Sequence, residues 1–297
     1  MNTLPTPFQP ATPAIIVGHS TTASAPPLGL GEPLTLMGGD RLGPGGIAFD
    51  LGHDWQRDFV DAVADACDDL LAAERPWFRM PAMALVGRVG CGRNHAVRML
   101  ASAAGVTHVI LNLSDPVIAM NVSASGEINE ALWVSPVVTA MAATRCANPA
   151  VTVVGAEYNA DAAMALVAMV DPMLGRAWRE DRIATSVDLG EVSWFIQCSD
   201  PSNLPAPLLD RLQIVPMRET NVVPDTTIAL SLLVEVLADL GIARNDPAVV
   251  WHDIVGRIDW RGFTTAAKAY ADLRSAVIQA QYDFATRRHA TADFDPY

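Results

Sequence analysis

Lysine is almost missing from this 297-residue chain: Lys268 stands alone beside 19 arginines. Charged residues of both signs make up only 18%, against 51% hydrophobic residues. That balance excludes a disordered chain or a long coiled coil and leaves a globular protein with a sizeable core. The few charges sum to -13, and an acidic surface repels phosphate backbones, so no nucleic-acid partner is expected. Cysteine is sparse too. Cys67, Cys91, Cys146 and Cys198 form no CxxC pair and no Cys/His cluster, which argues against zinc and for buried free thiols. The six histidines are scattered without ligand spacing, so no metal site is expected. No apolar run reaches the about 18 residues of a membrane span. The start lacks a basic stretch followed by an apolar one, so the expected location is the cytoplasm.

What is present begins with residues 1–50, rich in Pro, Gly, Thr and Ala. They read as an extended N-terminal arm with one strand near Ala14–Val17, disordered or packed along a neighbouring subunit. Residues 54–74 place Trp55, Phe59, Val60, Val63, Ala66, Leu70 and Leu71 at helical spacing, with acids between. Short apolar runs then alternate with helical stretches: Met83–Val86, Val109–Leu113, Val151–Val154, Trp194–Gln197 and Leu212–Val215. This alternation predicts an α/β domain over 51–218, a parallel sheet with helices on both faces. Beyond Pro216 the strand signal stops. Residues 225–241, 247–257 and 262–289 read as helices, giving a small all-helical domain over 219–290 and a tail over 291–297.

Directly after the Met83–Val86 strand comes Gly87-Arg88-Val89-Gly90-Cys91-Gly92-Arg93-Asn94, and a helical stretch follows. A P-loop reads G-x-x-x-x-G-K-[ST] in the same strand-to-helix setting. Gly87, Gly90 and Gly92 suit a backbone that must turn its N–H groups onto phosphate oxygens, at a helix N-terminus that adds partial positive charge. The chemical positions differ. Arg93 replaces the lysine, keeping the charge without the compact ammonium. Asn94 replaces the hydroxyl that would hold Mg²⁺. The other reading of these residues is a glycine-rich turn with no ligand.

The wider sequence resembles the ATPase part of Lon-like AAA+ proteins. Leu85 to Asn94 is similar to that family's LVGPPGVGKT, and Ala165–Pro172 to its ALLEVLDPE. Val187–Ile196 resembles its FDLSKVLFI, and Leu204–Leu212 its IPPPLLDRM. The blocks keep the family's order over roughly residues 80–216. The resemblance implies a three-layer P-loop AAA+ core followed by a small helical lid, and it stops before any protease segment, so proteolysis is not expected.

It also implies where the chemistry should sit. The Walker B acids correspond to Gly155 and Ala156, with Glu157 one residue on, where strand alternation would turn it to the other face; the alternative is that Glu157 compensates at a strand end, where the chain turns. Asp161 reads as a helix-start residue. Ser199, beside Asp200, matches sensor 1, and Arg261 lies near the family's sensor 2 arginine, with a plain surface arginine as the alternative. Arg211 matches the arginine finger projected into a neighbour's site; its alternative is a salt bridge with Asp210. With the metal-binding hydroxyl and both acids replaced, hydrolysis is expected to fall by roughly 10³-fold or more. The expected function is an AAA+-like pseudo-ATPase that acts as an assembly subunit, as a homo-oligomer or beside another protein. No cofactor is then required, and ATP or ADP would bind without a productive Mg²⁺ site. The competing expectation is a slow, atypical ATPase that remodels a protein partner.

Overall fold

The computed structural model describes residues 12–20, 24–43, 46–51, 56–123, 134–218, 226–258 and 265–292. Arg261 and the tail 293–297 lie outside them. The chain divides into two units, one of Met1–Gly52, Arg57–Gly87 and Arg93–Met217, the other of His53–Gln56, Arg88–Gly92 and Arg218–Tyr297.

The first unit is built on a five-stranded parallel sheet. Its strands are β4 (Met83–Val86), β5 (His108–Asn112), β6 (Ala150–Val154), β9 (Ser193–Cys198) and β10 (Gln213–Pro216), in the spatial order β10-β4-β9-β6-β5. β6 is buried save for its last residue and β9 throughout, as central strands of a sheet covered on both faces must be. The register is continuous across the middle, with Ala84 opposite Ile196 and Val151 opposite Trp194. After β4 the chain passes through helix α3 (Arg93–Ala104) to the far edge at β5. It then fills inward through β6 and β9 before placing β10 on the other side of β4. The order therefore reverses around β4, and in open α/β sheets the crevice at such a reversal, beside the strands' carboxyl ends, is where ligands sit.

Helix α2 (Arg57–Ala72) buries Phe59, Ala62, Val63, Ala66, Cys67 and Leu70. Phe59 meets Phe195 of β9 edge-on, with ring centroids 6.3 Å apart. α6 (Ala160–Val170) packs on α4 (Pro116–Ser123), and α5 (Pro136–Thr144) on β5.

The N-terminal segment differs from the arm expected above. Its described residues form β1 (Ala14–Ile15), β2 (Gly18–Ser20) and β3 (Leu34–Thr35) and lie on the chain's own core. β1 pairs with β3. β2 joins β7 (Trp178–Glu180) and β8 (Thr185–Val187) in an antiparallel sheet of order β2-β8-β7. Val17, Leu30 and Leu34 are fully buried. Asn148, also fully buried, fixes the segment: its Oδ1 accepts from Met37 N at 2.8 Å, and its Nδ2 donates to Met37 O at 3.0 Å and Phe78 O at 2.6 Å. Two- and three-residue strands held by a distant asparagine leave no periodic apolar signal, so the sequence alone shows one strand here.

The second unit has its own core. Helices α8 (Thr226–Asp239), α9 (Trp251–Gly256) and α10 (Ala266–Ala292) bring together Leu233, Val236, Ile254, Leu273 and Val277. Within this unit the Gln56 amide is buried, donating to Cys91 O at 3.0 Å and Arg218 O at 3.1 Å and accepting from Arg218 N at 3.0 Å. No helix among the described residues is long and apolar enough to cross a membrane.

Candidate functional site at the carboxyl ends of the sheet

The glycine loop leaves β4 as its motif requires. Gly90 and Gly92 adopt left-handed φ values of 91° and 93°, while Gly87 does not. At Gly90 the need is steric as well, since a Cβ would lie 2.6 Å from Thr265 Cγ2. The loop delivers Arg93 as the first residue of α3.

Arg93 is only 8% exposed. Its Nη1 donates to the carbonyl of Cys198 at 2.6 Å, the same carbonyl that accepts from Gly87 N at 3.1 Å. The guanidinium thus folds back onto the end of β9. Asn94, next along, accepts from the Gln197 side chain through its Oδ1. The two positions that would hold phosphate and Mg²⁺ in the resembled family both bond to the last two residues of β9, Gln197 and Cys198. Sequence reasoning missed Gln197 and the Cys198 carbonyl, because Gln197 lies within the buried run of β9 and reads only as strand.

Gly155 and Ala156 end β6 in an unexpected way. Gly155 has φ 82°, and a Cβ there would stand 2.3 Å from Ser114 Oγ and 2.7 Å from Ser114 N. No side chain fits, so the chain turns out of the sheet into a 3-10 turn over Ala156–Tyr158. That turn corrects the expectation for Glu157. It does not point to the opposite face; its Oε2 accepts from Ser199 Oγ at 2.6 Å and Ser199 N at 2.9 Å. Burial pushes the Glu157 carboxyl up, but the Ser199 bonds, with help from Tyr158 and Asn203, outweigh it and hold the group below its ordinary value. Walker-B-adjacent Glu157 and sensor-like Ser199 are therefore brought together.

The remaining two acids, Asp200 and Asp161, lie at the starts of helical turns. Asp200 accepts from Ser202 N at 2.8 Å and caps the 3-10 turn over Pro201–Asn203. Asp161 lies in the first turn of α6, whose cap is Asn159, accepting from Ala162 N at 3.0 Å. Among the described residues no group of three or more His, Cys, Asp or Glu is placed to hold a metal ion. The Cys198 thiol is pushed up to about 11, chiefly by burial and then by the Glu157 charge, which leaves it unreactive.

Arg211 follows α7 (Ala206–Leu209). It pairs not with Asp210 but with Asp171, Nε to Oδ2 at 3.0 Å, and its Nη1 donates to Pro207 O at 2.7 Å. The Ala165–Pro172 and Leu204–Leu212 blocks thus meet in space. Backbone donors from Leu174 and Met173, then Arg211, hold the Asp171 carboxyl below its ordinary value.

These features can be set beside known proteins. The Lon protease of Mycoplasmopsis agalactiae is 23% identical over 176 residues, 57% of this chain and 18% of its own length. The Lon protease 2 of Thermus thermophilus is 24% identical over 138 residues, 45% of this chain and 17% of its own. The Lon protease of Mycolicibacterium smegmatis is 32% identical over 62 residues, 21% of this chain and 8% of its own. The chain spans less than a fifth of the length of these relatives. No protein-family model matches it. The α/β unit with its parallel sheet and glycine loop is compatible with a P-loop AAA+ core, and the homology to Lon proteases, over about half the chain, agrees with it.

Proposed function

We propose that this chain is an AAA+-like pseudo-ATPase whose role is assembly, with a nucleotide site closed by its own side chains. One observation carries the reading: Arg93, Asn94 and Glu157 each commit a polar atom to β9 or the residue after it, at Cys198 O, Gln197 and Ser199. A γ-phosphate and Mg²⁺ would have to break these bonds, with no replacement for the metal-binding hydroxyl or the Walker B acids. Phosphoryl transfer in P-loop enzymes depends almost wholly on metal and positioning, so their loss removes the basis for turnover. The helical unit follows the α/β unit in sequence, as the resemblance leads one to expect of a lid, and Arg211, held by Asp171, serves the fold of its own chain. Lon proteolysis is not carried over.

Phosphate release and particle mass, followed together while Mg·ATP is added, test this. The expected result is no release above background and a mass distribution that ignores nucleotide. ATP-driven assembly with release would overturn it.

One observation favours a second reading, a slow ATPase: Glu157, whose carboxyl its hydrogen bonds hold below the ordinary value, lies beside Ser199, where a carboxylate could orient a water. That reading requires Arg93 to swing off Cys198 onto phosphate, and it makes Glu157→Gln abolish whatever release is measured.

A further inference from the structure

Three arginines gather at the turn that leads into β9, away from the strand ends that carry the candidate site. Glu191, nearly buried, accepts from Trp77 Nε1 at 2.8 Å and Arg75 Nη2 at 3.3 Å, and lies 3.8 Å from Arg79 Nε. Arg79 Nε donates to Gly190 O at 2.9 Å. Arg75 lies over the Trp77 ring at 5.4 Å. Arg176, exposed, runs against Gly190, its Cγ 2.9 Å and Nε 3.2 Å from where a Cβ would stand. Glu191 pairs with Arg75 and Arg79, and Asp188, beside Arg176 at Gly190, accepts from Gly190 N. The result is a locally basic surface around a half-buried tryptophan on a chain of net charge -13. Tryptophan and arginine are the residues that most often anchor protein interfaces.

The same unit carries the complement. The solvent side of α2 exposes Asp61, Asp65, Asp68 and Asp69, at spacings that put them on one face. Arg57 is the helix's single base, 3.8 Å from Asp61. Four like charges along one face repel one another unless cations cover them.

We infer that the Arg75–Trp77–Arg79–Arg176 surface docks the acidic α2 face of a second copy of this chain. The two patches differ, so the contact is head-to-tail and generates a ring or a filament. The inference rests on the assembly reading above and names the surfaces it uses. It requires neither the glycine loop nor nucleotide.

Sedimentation velocity of the full chain tests it, at about 50 mM and about 500 mM salt, since exposed charge pairs are screened at the higher value. Arg176→Glu and Asp65→Arg both lie at exposed positions, and circular dichroism confirms that each folds. The expected result is association at low salt, weakened by about tenfold or more in each single variant and recovered in the double charge swap. Association unchanged in both single variants, or a monomer at both salts, overturns the proposal. A Mg·ATP arm separates it from the preceding reading. Association that needs Mg·ATP yet still fails in Arg176→Glu overturns the nucleotide-free pseudo-ATPase while supporting this contact.

Discussion

At the scale of single residues, Gly155 explains why the Walker B acids have no simple repair. The position is left-handed and pressed against Ser114, so Gly155→Asp adds both backbone strain and a clash. The expected outcome is a loss of about 2–4 kcal/mol in chemical denaturation, without any gain of Mg²⁺ affinity. The resemblance set Gly155 and Ala156 opposite the family's Walker B acids and left a turn at the strand end as the lesser alternative for Glu157; no motif marked Ser199 as the partner that the turn brings to it. Strand alternation, the rule that placed Glu157 on the opposite face, ends with β6 at Val154, as the apolar run does, and so does not reach Glu157. Glu180 supplies a second residue-scale prediction. It is buried on β7 and accepts from Ser135 N at 3.4 Å, and burial raises its carboxyl from 4.5 to about 7 despite that bond. A raised folded value means the fold favours the protonated acid. The stability it contributes is full below pH 4.5 and is lost as pH rises to about 7. Glu180→Gln should therefore match the native chain near pH 4 and exceed it at pH 8, by roughly 1–3 kcal/mol. Thermal melts across that range check the crossover.

At the scale of elements, the strands of the main sheet were legible because each is a short, continuous apolar run. The runs at 83–86, 109–113, 151–154, 194–197 and 212–215 agree with β4, β5, β6, β9 and β10 to within a residue or two at each end. Their spatial order was not legible, since periodicity reports burial and not neighbours. The N-terminal strands were hidden for a different reason: their backbone is held by side chains far off in sequence. Asn148 and Arg145 do this, Arg145 donating to Gly29 O at 2.9 Å and Pro33 O at 3.0 Å and pairing with Glu32. Asn148→Ala leaves the Met37 and Phe78 backbone groups unpaired inside the protein, at an expected cost of about 2–4 kcal/mol. Faster proteolysis of residues 12–43 should accompany it, which limited digestion with mass spectrometry would show. Equal digestion rates in the two chains would mean that Asn148 does not hold the segment.

At the scale of the whole molecule, the chain joins a sheet architecture compatible with a P-loop AAA+ core to a glycine loop followed by two side chains, Arg93 and Asn94, that bond to the end of β9. The glycine spacing was readable because the backbone demands it. The closure was not, because Gln197 and the Cys198 carbonyl carry no motif. Titration of the purified chain with a fluorescent ATP analogue, with and without Mg²⁺ and with Arg93→Ala as control, tests the closure most directly. A nucleotide site closed by its own side chains gives no saturable binding up to millimolar nucleotide and no difference between the native chain and the variant. Saturable binding that Mg²⁺ strengthens and Arg93→Ala removes would contradict it.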